Sequence, residues 1–208
     1  MNFKKYQFGD EEILSDSSNS SDSSKEHAGV LETIENRIYF YSEIERSSIL
    51  TLNKNLREMS NALISKKYTQ ETEIIPPIYL HINSYGGNIF AGLSALDEIE
   101  KINKNVNIIT IVDGCCASAG TFLSIAGKER WINKHAYMLI HQLSSAMWGK
   151  FSEFEDEMKN LKGFMKVIKG IYEQHTKLPS KKLDEILKHD IWFTAQECLD
   201  YGLVDKII

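Results

Sequence analysis

The stretch Val106–Ala126, VNIITIVDGCCASAGTFLSIA, decides the fold. Val106 to Val112 is a short apolar run rich in β-branched residues, which suits a buried strand. Asp113-Gly114 is expected to break it, and a run of small residues leads into a helix near Thr121 to Ala126. The same layout stands upstream. Ile78 to Ile82 is an apolar strand, and Asn83-Ser84-Tyr85-Gly86-Gly87-Asn88 is a tight turn. A helix from Ile89 to about Ile102 then carries Ile89, Leu93, Leu96 and Ile99 or Glu100 at helical spacing. Strands that alternate with helices imply an α/β domain with a largely parallel sheet.

The flanking sequence extends this pattern. Arg37 to Ile44 alternates as a strand, and Ser47 or Ser48 suits the cap of a helix bearing Ile49, Leu52, Leu56, Met59 and Leu63. Lys66 to Glu73 is a polar connection before Pro76-Pro77. Downstream, Trp131-Ile132 and Tyr137 to Ile140 read as short strands. A long helix is expected from about Ser152 to His175, with Phe154, Met158, Leu161, Met165, Ile168 and Tyr172 on one stripe. A short helix opens at Pro179-Ser180 and ends near Lys188. Ala195 to Tyr201 forms a last helix closed by Gly202, and Leu203 to Ile208 a last strand.

Residues 10–26, DEEILSDSSNSSDSSKE, are too polar to bury the apolar area that ordering requires. The expected organisation is an acidic, serine-rich disordered tail over residues 1–29 and one domain over residues 30–208. A chain of 208 residues supports one substantial core. The net charge of -5 and the scattered lysines argue against nucleic acid as a partner. Three cysteines without framework spacing suggest a reducing, cytoplasmic setting. No stretch approaches the apolar length of a membrane span, and no histidine stands at a metal-ligand spacing such as HExxH. Neither metal nor membrane is expected.

Chemistry in α/β sheets gathers at the carboxyl ends of strands. Two glycine-rich turns side by side there could offer backbone N–H groups to an oxyanion, with a serine at the focus. Neither turn fits a phosphate loop. Ser118 lies between Ala117, Ala119 and Gly120, small neighbours that permit close approach. Taken by itself, it suits a helix N-cap better than a nucleophile. His141 follows an apolar strand and suits either a cleft base or a satisfied strand-end residue. Asp190 precedes Trp192-Phe193. A carboxylate beside aromatics needs a partner, such as an imidazole N–H, although a turn or cap aspartate fits as well.

Four blocks in order resemble the ClpP family, the proteolytic subunits of the Clp ATP-dependent proteases (peptidase family S14). They are Ile78–Gly87 (IYLHINSYGG), Gly114–Gly120 (GCCASAG), Met138–Gln142 (MLIHQ) and His189–Asp205 (HDIWFTAQECLDYGLVD), and the likeness runs from about Ile38 to Ile208. It implies a crotonase-like ClpP fold, in which repeated ββα units form a superhelical core with a protruding handle helix. It implies a serine endopeptidase with Ser118 as nucleophile, His141 as base and Asp190 as orienting carboxylate. The backbone N–H groups of Gly87 and Ala119 would form the oxyanion hole. The resemblance further implies stacked heptameric rings, a tetradecamer that hydrolyses unfolded polypeptide. The partner would be an AAA+ unfoldase of the ClpX, ClpA or ClpC type, which uses the ATP, with no cofactor in this subunit.

The chain departs from the family pattern at several positions. Tyr85 stands where proline is usual, Cys115-Cys116 where Gln-Ala or similar is common, and Ala119 where methionine is common. The family's axial-loop segment is not recognisable in residues 1–36. Three rivals share parts of the pattern. A catalytically silent ring subunit typically loses triad members. A crotonase-like acyl-CoA enzyme uses paired backbone donors without the triad. A relative of signal-peptide peptidase uses a lysine base. The histidine block and Asp190 favour the serine endopeptidase over the last two.

Overall fold

A computed structural model describes residues 29–69, 74–145 and 148–208. The expected tail lies, but for Gly29, outside the described residues. Among the described residues, eight strands and six helices follow in chain order: β1 (Val30–Ile34), β2 (Arg37–Tyr41), α1 (Arg46–Thr69), β3 (Ile78–Ser84), α2 (Ile89–Ile102), β4 (Ile108–Ala117), α3 (Gly120–Ile125), β5 (Glu129–Ile132), β6 (Tyr137–Leu139), α4 (Phe151–His175), α5 (Ser180–Ile186), β7 (Trp192–Thr194), α6 (Ala195–Asp200) and β8 (Lys206–Ile207). The sheet runs β1-β2-β3-β4-β5-β8, and a branch of β6 and β7 leaves from β4. Pairing is parallel except at β1/β2 and β6/β7.

The strand alternation sets the layers. Along β3, Ile78, Leu80, Ile82 and Ser84 are buried, and Tyr79, His81 and Asn83 lie half-buried on the other face. Ile49, Leu52, Leu56 and Leu63 of α1 and Leu96 and Ile99 of α2 join the same core as Ile38, Phe40 and Leu80. Residues at helical spacing therefore cover one face of a parallel sheet, as α/β packing requires. No helix among the described residues is long and apolar enough to cross a membrane.

Four expectations need correction. The strand beginning near Val106 does not stop at Asp113-Gly114; β4 runs to Ala117. Its register on β3 jumps between the pairs Ile82–Val112 and Ser84–Cys116, so the strand bulges and continues. Gly114 absorbs the bulge at φ 77°, a conformation that glycine adopts without steric cost. Second, α1 continues through Lys66 to Thr69. Third, the stripe of α4 is covered only towards its carboxyl end: Ile168 and Tyr172 are buried, while Phe154 and Met158 are exposed. Fourth, the last strand is only Lys206–Ile207, because Leu203 and Val204 belong to the turn that closes α6. The strand β7 has no counterpart in the sequence pattern, since its three residues are too few to show a period.

Arg130 of β5 ties this end together. Its guanidinium meets both carboxylate oxygens of Asp205 at 2.5 and 2.9 Å and donates to the Gly202 carbonyl at 2.9 Å. It also donates to the carbonyl of His175, the last residue of α4. Burial pushes the Asp205 carboxyl up, but the Arg130 hydrogen bonds and charge outweigh it and hold the group below the usual range. Arg130→Met should destabilise the fold by about 2–3 kcal/mol, since two carbonyls and a carboxylate lose their donor together. Urea unfolding of the variant measures this.

Candidate active site

The branch of the sheet brings the chemistry together. Beyond the bulge, Cys115, Cys116 and Ala117 pair in parallel with Tyr137, Met138 and Leu139 of β6. Ser118 and His141 thus leave the carboxyl ends of neighbouring strands. On its other side β6 pairs antiparallel with β7, Leu139 against Trp192. Continued two residues further, that register sets Asp190 opposite His141. The side chains meet there: His141 Nδ1 lies 3.0 Å from Asp190 Oδ1. The imidazole is 8% exposed and the carboxylate 34%. Burial lowers the His141 pKa below the ordinary histidine value, and the charge and hydrogen bond of Asp190 pull partly the other way.

Ser118 is not the cap of α3. The cap position is Ala119, and no side chain bonds to it. Ser118 instead has φ 52°, a left-handed backbone that costs a residue with a Cβ about 1–2 kcal/mol. Several contacts hold it there. Its N–H donates to the Leu139 carbonyl at 2.8 Å, and its own carbonyl accepts from the N–H of Thr121 at 3.0 Å and from Thr121 Oγ1 at 2.6 Å. Gly86 lies directly beneath: a Cβ there would stand 2.7 Å from the Ser118 Cβ. The outcome is a serine thrust forward on a sharp turn between strand and helix.

Gly87 forms the opposite wall. Ile44 pairs with it in an isolated parallel bridge, donating to the Gly86 carbonyl at 2.8 Å and accepting from the Asn88 N–H at 2.7 Å. Those two bonds use the groups flanking Gly87 and turn its own N–H to the opposite edge. Asn88 then caps α2 by accepting from Ala91 N–H at 3.0 Å. Gly87, Ser118, Ala119 and His141 line one pocket of about 260 Å³, floored by Phe122 and Tyr172. A larger open groove on α4, lined by Phe154, Met158, Lys159 and Lys162, includes neither Ser118 nor His141.

Two other histidines lie elsewhere. His81 Nδ1 meets Asp113 Oδ2 at 2.7 Å on the half-buried sheet face, where Tyr41 also donates to Asp113. His175 Nε2 pairs with Glu100 Oε1 at 3.0 Å. Among the described residues, no cluster of histidine, cysteine and carboxylate side chains could hold a metal ion. Burial pushes the Cys115 and Cys116 thiols up, away from the reactive thiolate, despite their place beside Ser118. Tyr85 sets its ring edge-on to Trp192 with centroids 6.4 Å apart.

A family model described as Clp protease matches residues 33–208. The chain belongs to the Clp protease family. Clp relatives of similar sequence include the ATP-dependent Clp protease proteolytic subunit 2 of Cutibacterium acnes, 32% identical over 171 residues and 80% of each chain. The subunit of the same name from Bifidobacterium longum is 34% identical over 133 residues, 63% of each chain. A point mutant of ClpP1 from Listeria monocytogenes shares the fold, with a TM-score of 0.71 and 24% identity, over 84% of this chain and 91% of that one. The ClpP fold expected from the four blocks is therefore the fold of this chain.

Two residues beside this pocket are not marked by the sequence. Helical spacing places Tyr172 on a core stripe, and Thr121 reads only as the start of a helix. The phenol of Tyr172 lies 2.6 Å from Thr121 Oγ1, both groups buried. The readable signal is a hydroxyl three residues after Ser118, a spacing at which side chains bond back to the main chain.

Gly87 tests how tightly the wall is built. Its φ is 144°, and a Cβ would lie 2.4 Å from the Ile44 carbonyl oxygen. Gly87→Ala should break the Ile44 bridge and lower stability by about 1–3 kcal/mol, read as a fall in denaturation midpoint.

Proposed function

We propose that this chain is a serine-type endopeptidase subunit of a Clp protease, with Ser118 as nucleophile, His141 as general base and Asp190 as the carboxylate that orients the imidazole. The observation that carries the reading is the register-built contact of His141 Nδ1 with Asp190 Oδ1 at 3.0 Å, beside a pocket that His141 shares with the strained Ser118.

In this reading Asp190 accepts the Nδ1–H bond, which leaves Nε2 as the basic nitrogen. Nε2 takes the Ser118 proton as Oγ attacks the scissile carbonyl, then returns it to the departing amine. The acyl group stays on Ser118 until water, activated by the same nitrogen, releases it. The N–H groups of Gly87 and Ala119 receive the oxyanion. The first is turned off the Ile44 bridge, and the second, at the start of α3, has no intrahelical acceptor. Phe122 and Ile168 give the pocket an apolar lining for a substrate side chain. The polypeptide would lie extended, pairing its main chain along the edges at Gly87 and after His141, a mode with weak sequence preference.

The same proposal extends to assembly. The subunits would stack as two heptameric rings in the cytoplasm and receive unfolded chains from an AAA+ partner. The exposed Phe151, Phe154 and Met158 of α4 support it, since such a row of apolar side chains is normally covered by protein.

Ser118→Ala should cut cleavage of short fluorogenic peptides by about 10⁶-fold without changing the assembly mass. A fluorophosphonate should label Ser118 alone; undiminished turnover in the variant, or labelling of another serine, would sink the assignment. The base must be neutral to accept a proton. Because burial lowers its pKa, the rising limb of kcat/KM against pH should lie below the ordinary histidine value of about 6.5. A limb above that value contradicts the buried-base reading.

A further inference from the structure

The Ser118 carbonyl and the Ala119 N–H belong to one peptide unit. The chain contains no cis peptide among its described residues, so the two groups point in opposite directions from one plane. Whatever fixes the carbonyl also fixes the direction of the N–H. Two donors fix it, both from Thr121: the backbone N–H at 3.0 Å and Oγ1 at 2.6 Å. The hydroxyl has a single proton. With that proton given to the Ser118 carbonyl, the Thr121 oxygen is left as an acceptor, and it receives the Tyr172 O–H at 2.6 Å. The opposite orientation would leave two oxygens facing each other at 2.6 Å with no proton between them. The relay therefore runs one way, from Tyr172 O–H to Thr121 O–H to the Ser118 carbonyl. It is shut away from water, since Thr121 is 0% exposed and Tyr172 1%.

We infer that Tyr172 and Thr121 are positioning residues that orient the Ser118–Ala119 peptide through this hydroxyl relay and so aim the Ala119 N–H at the oxyanion. The inference rests on the reading of Ser118 as nucleophile and Ala119 as oxyanion donor. Two features of the relay bear on catalysis. It pins a peptide whose preceding residue sits at φ 52°, where the backbone would otherwise relax. It also polarises the peptide, because a carbonyl that accepts hydrogen bonds makes its own N–H a stronger donor. Both hydroxyls are spent within the relay. Tyr172 acts only through Thr121, and Thr121 only through the Ser118 carbonyl.

The test uses the full-length assembled protein with Thr121→Val, Tyr172→Phe and Thr121→Ser. Thr121→Val should lower kcat for a fluorogenic peptide by about 10- to 100-fold, less than outright loss of an oxyanion donor, with KM changed by no more than about twofold. Binding of a peptidyl boronic acid, whose tetrahedral adduct places an oxygen where the oxyanion forms, should weaken in parallel with kcat. Binding of the product peptide should not change. Thr121→Ser keeps the hydroxyl and should restore most of the rate. Tyr172→Phe should shift kcat and boronate affinity in the same direction by a smaller factor, and should add nothing on top of Thr121→Val.

Several outcomes overturn the relay. One is kcat and boronate affinity unchanged in Thr121→Val, or in Tyr172→Phe should the valine variant not fold. Another is a fall in product-peptide binding equal to the fall in kcat. Losses that add in the double variant, or no rescue by serine, also refute it. Fluorophosphonate labelling keeps the two levels apart. If Ser118→Ala is still labelled, the nucleophile assignment fails. If labelling is lost there but proceeds at the parent rate in Thr121→Val and Tyr172→Phe, only the relay fails.

Discussion

Between the pairs Ile82–Val112 and Ser84–Cys116, β4 takes up extra residues against β3 and swings out of the main sheet. Before the bulge its free edge holds β5; after it the same edge holds β6. A straight strand could not serve both neighbours. Gly114 at φ 77° makes the turn possible, and Asn83 closes over it, so that even a Cβ there would crowd the amide at 3.2 Å. Three side chains of the site descend from this branch. The outer half of β4 delivers Ser118, its partner β6 delivers His141, and the partner of that strand, β7, delivers Asp190.

The site is consequently assembled by backbone pairing more than by side-chain packing. Ser118 N–H bonds to the Leu139 carbonyl, which fixes the Ser118 turn to the strand that ends before His141. The β6/β7 register then leaves little freedom in where Asp190 meets His141. A slip of one residue would exchange faces along these short strands and separate the pair. The strain at Ser118 is tolerated because its N–H, its carbonyl and the space beneath it are all taken.

The helices and inner strands are plain in the sequence because burial imposes a period on them. The apolar runs Ile78–Ile82 and Ile108–Val112 and the spacing of Ile49, Leu52 and Leu56 are direct imprints of the core. The bulge reads as an end, since Asp-Gly marks turns and bulges alike. Tyr172 reads as mere core because hydrophobic spacing says nothing of where a phenol points. Ser118 is ambiguous for a deeper reason. A cap and a nucleophile elbow both sit between a strand and a helix, and only the backbone angle separates them. The φ of 52° removes the cap, and the elbow stays what the ordered blocks imply by resemblance.

Helix α4 is embedded over one end only. Ile168 and Tyr172 root it in the core, the Arg130 guanidinium holds its last carbonyl, and the first turns stand clear with Phe151 and Phe154 exposed. Mechanically it is a cantilever, with an arm of about 20 Å beyond the last body contacts at Phe164 and Met165, at about 1.5 Å per residue, tied once along its length where Ser145 donates to Glu157. Load applied to the tip arrives at the root as torque. Tyr172 is one of the two buried side chains at the fulcrum, and its hydroxyl is the first link to the Ser118 carbonyl, so the stiffness of that root decides how well the Ser118 turn is insulated from what pulls on the arm.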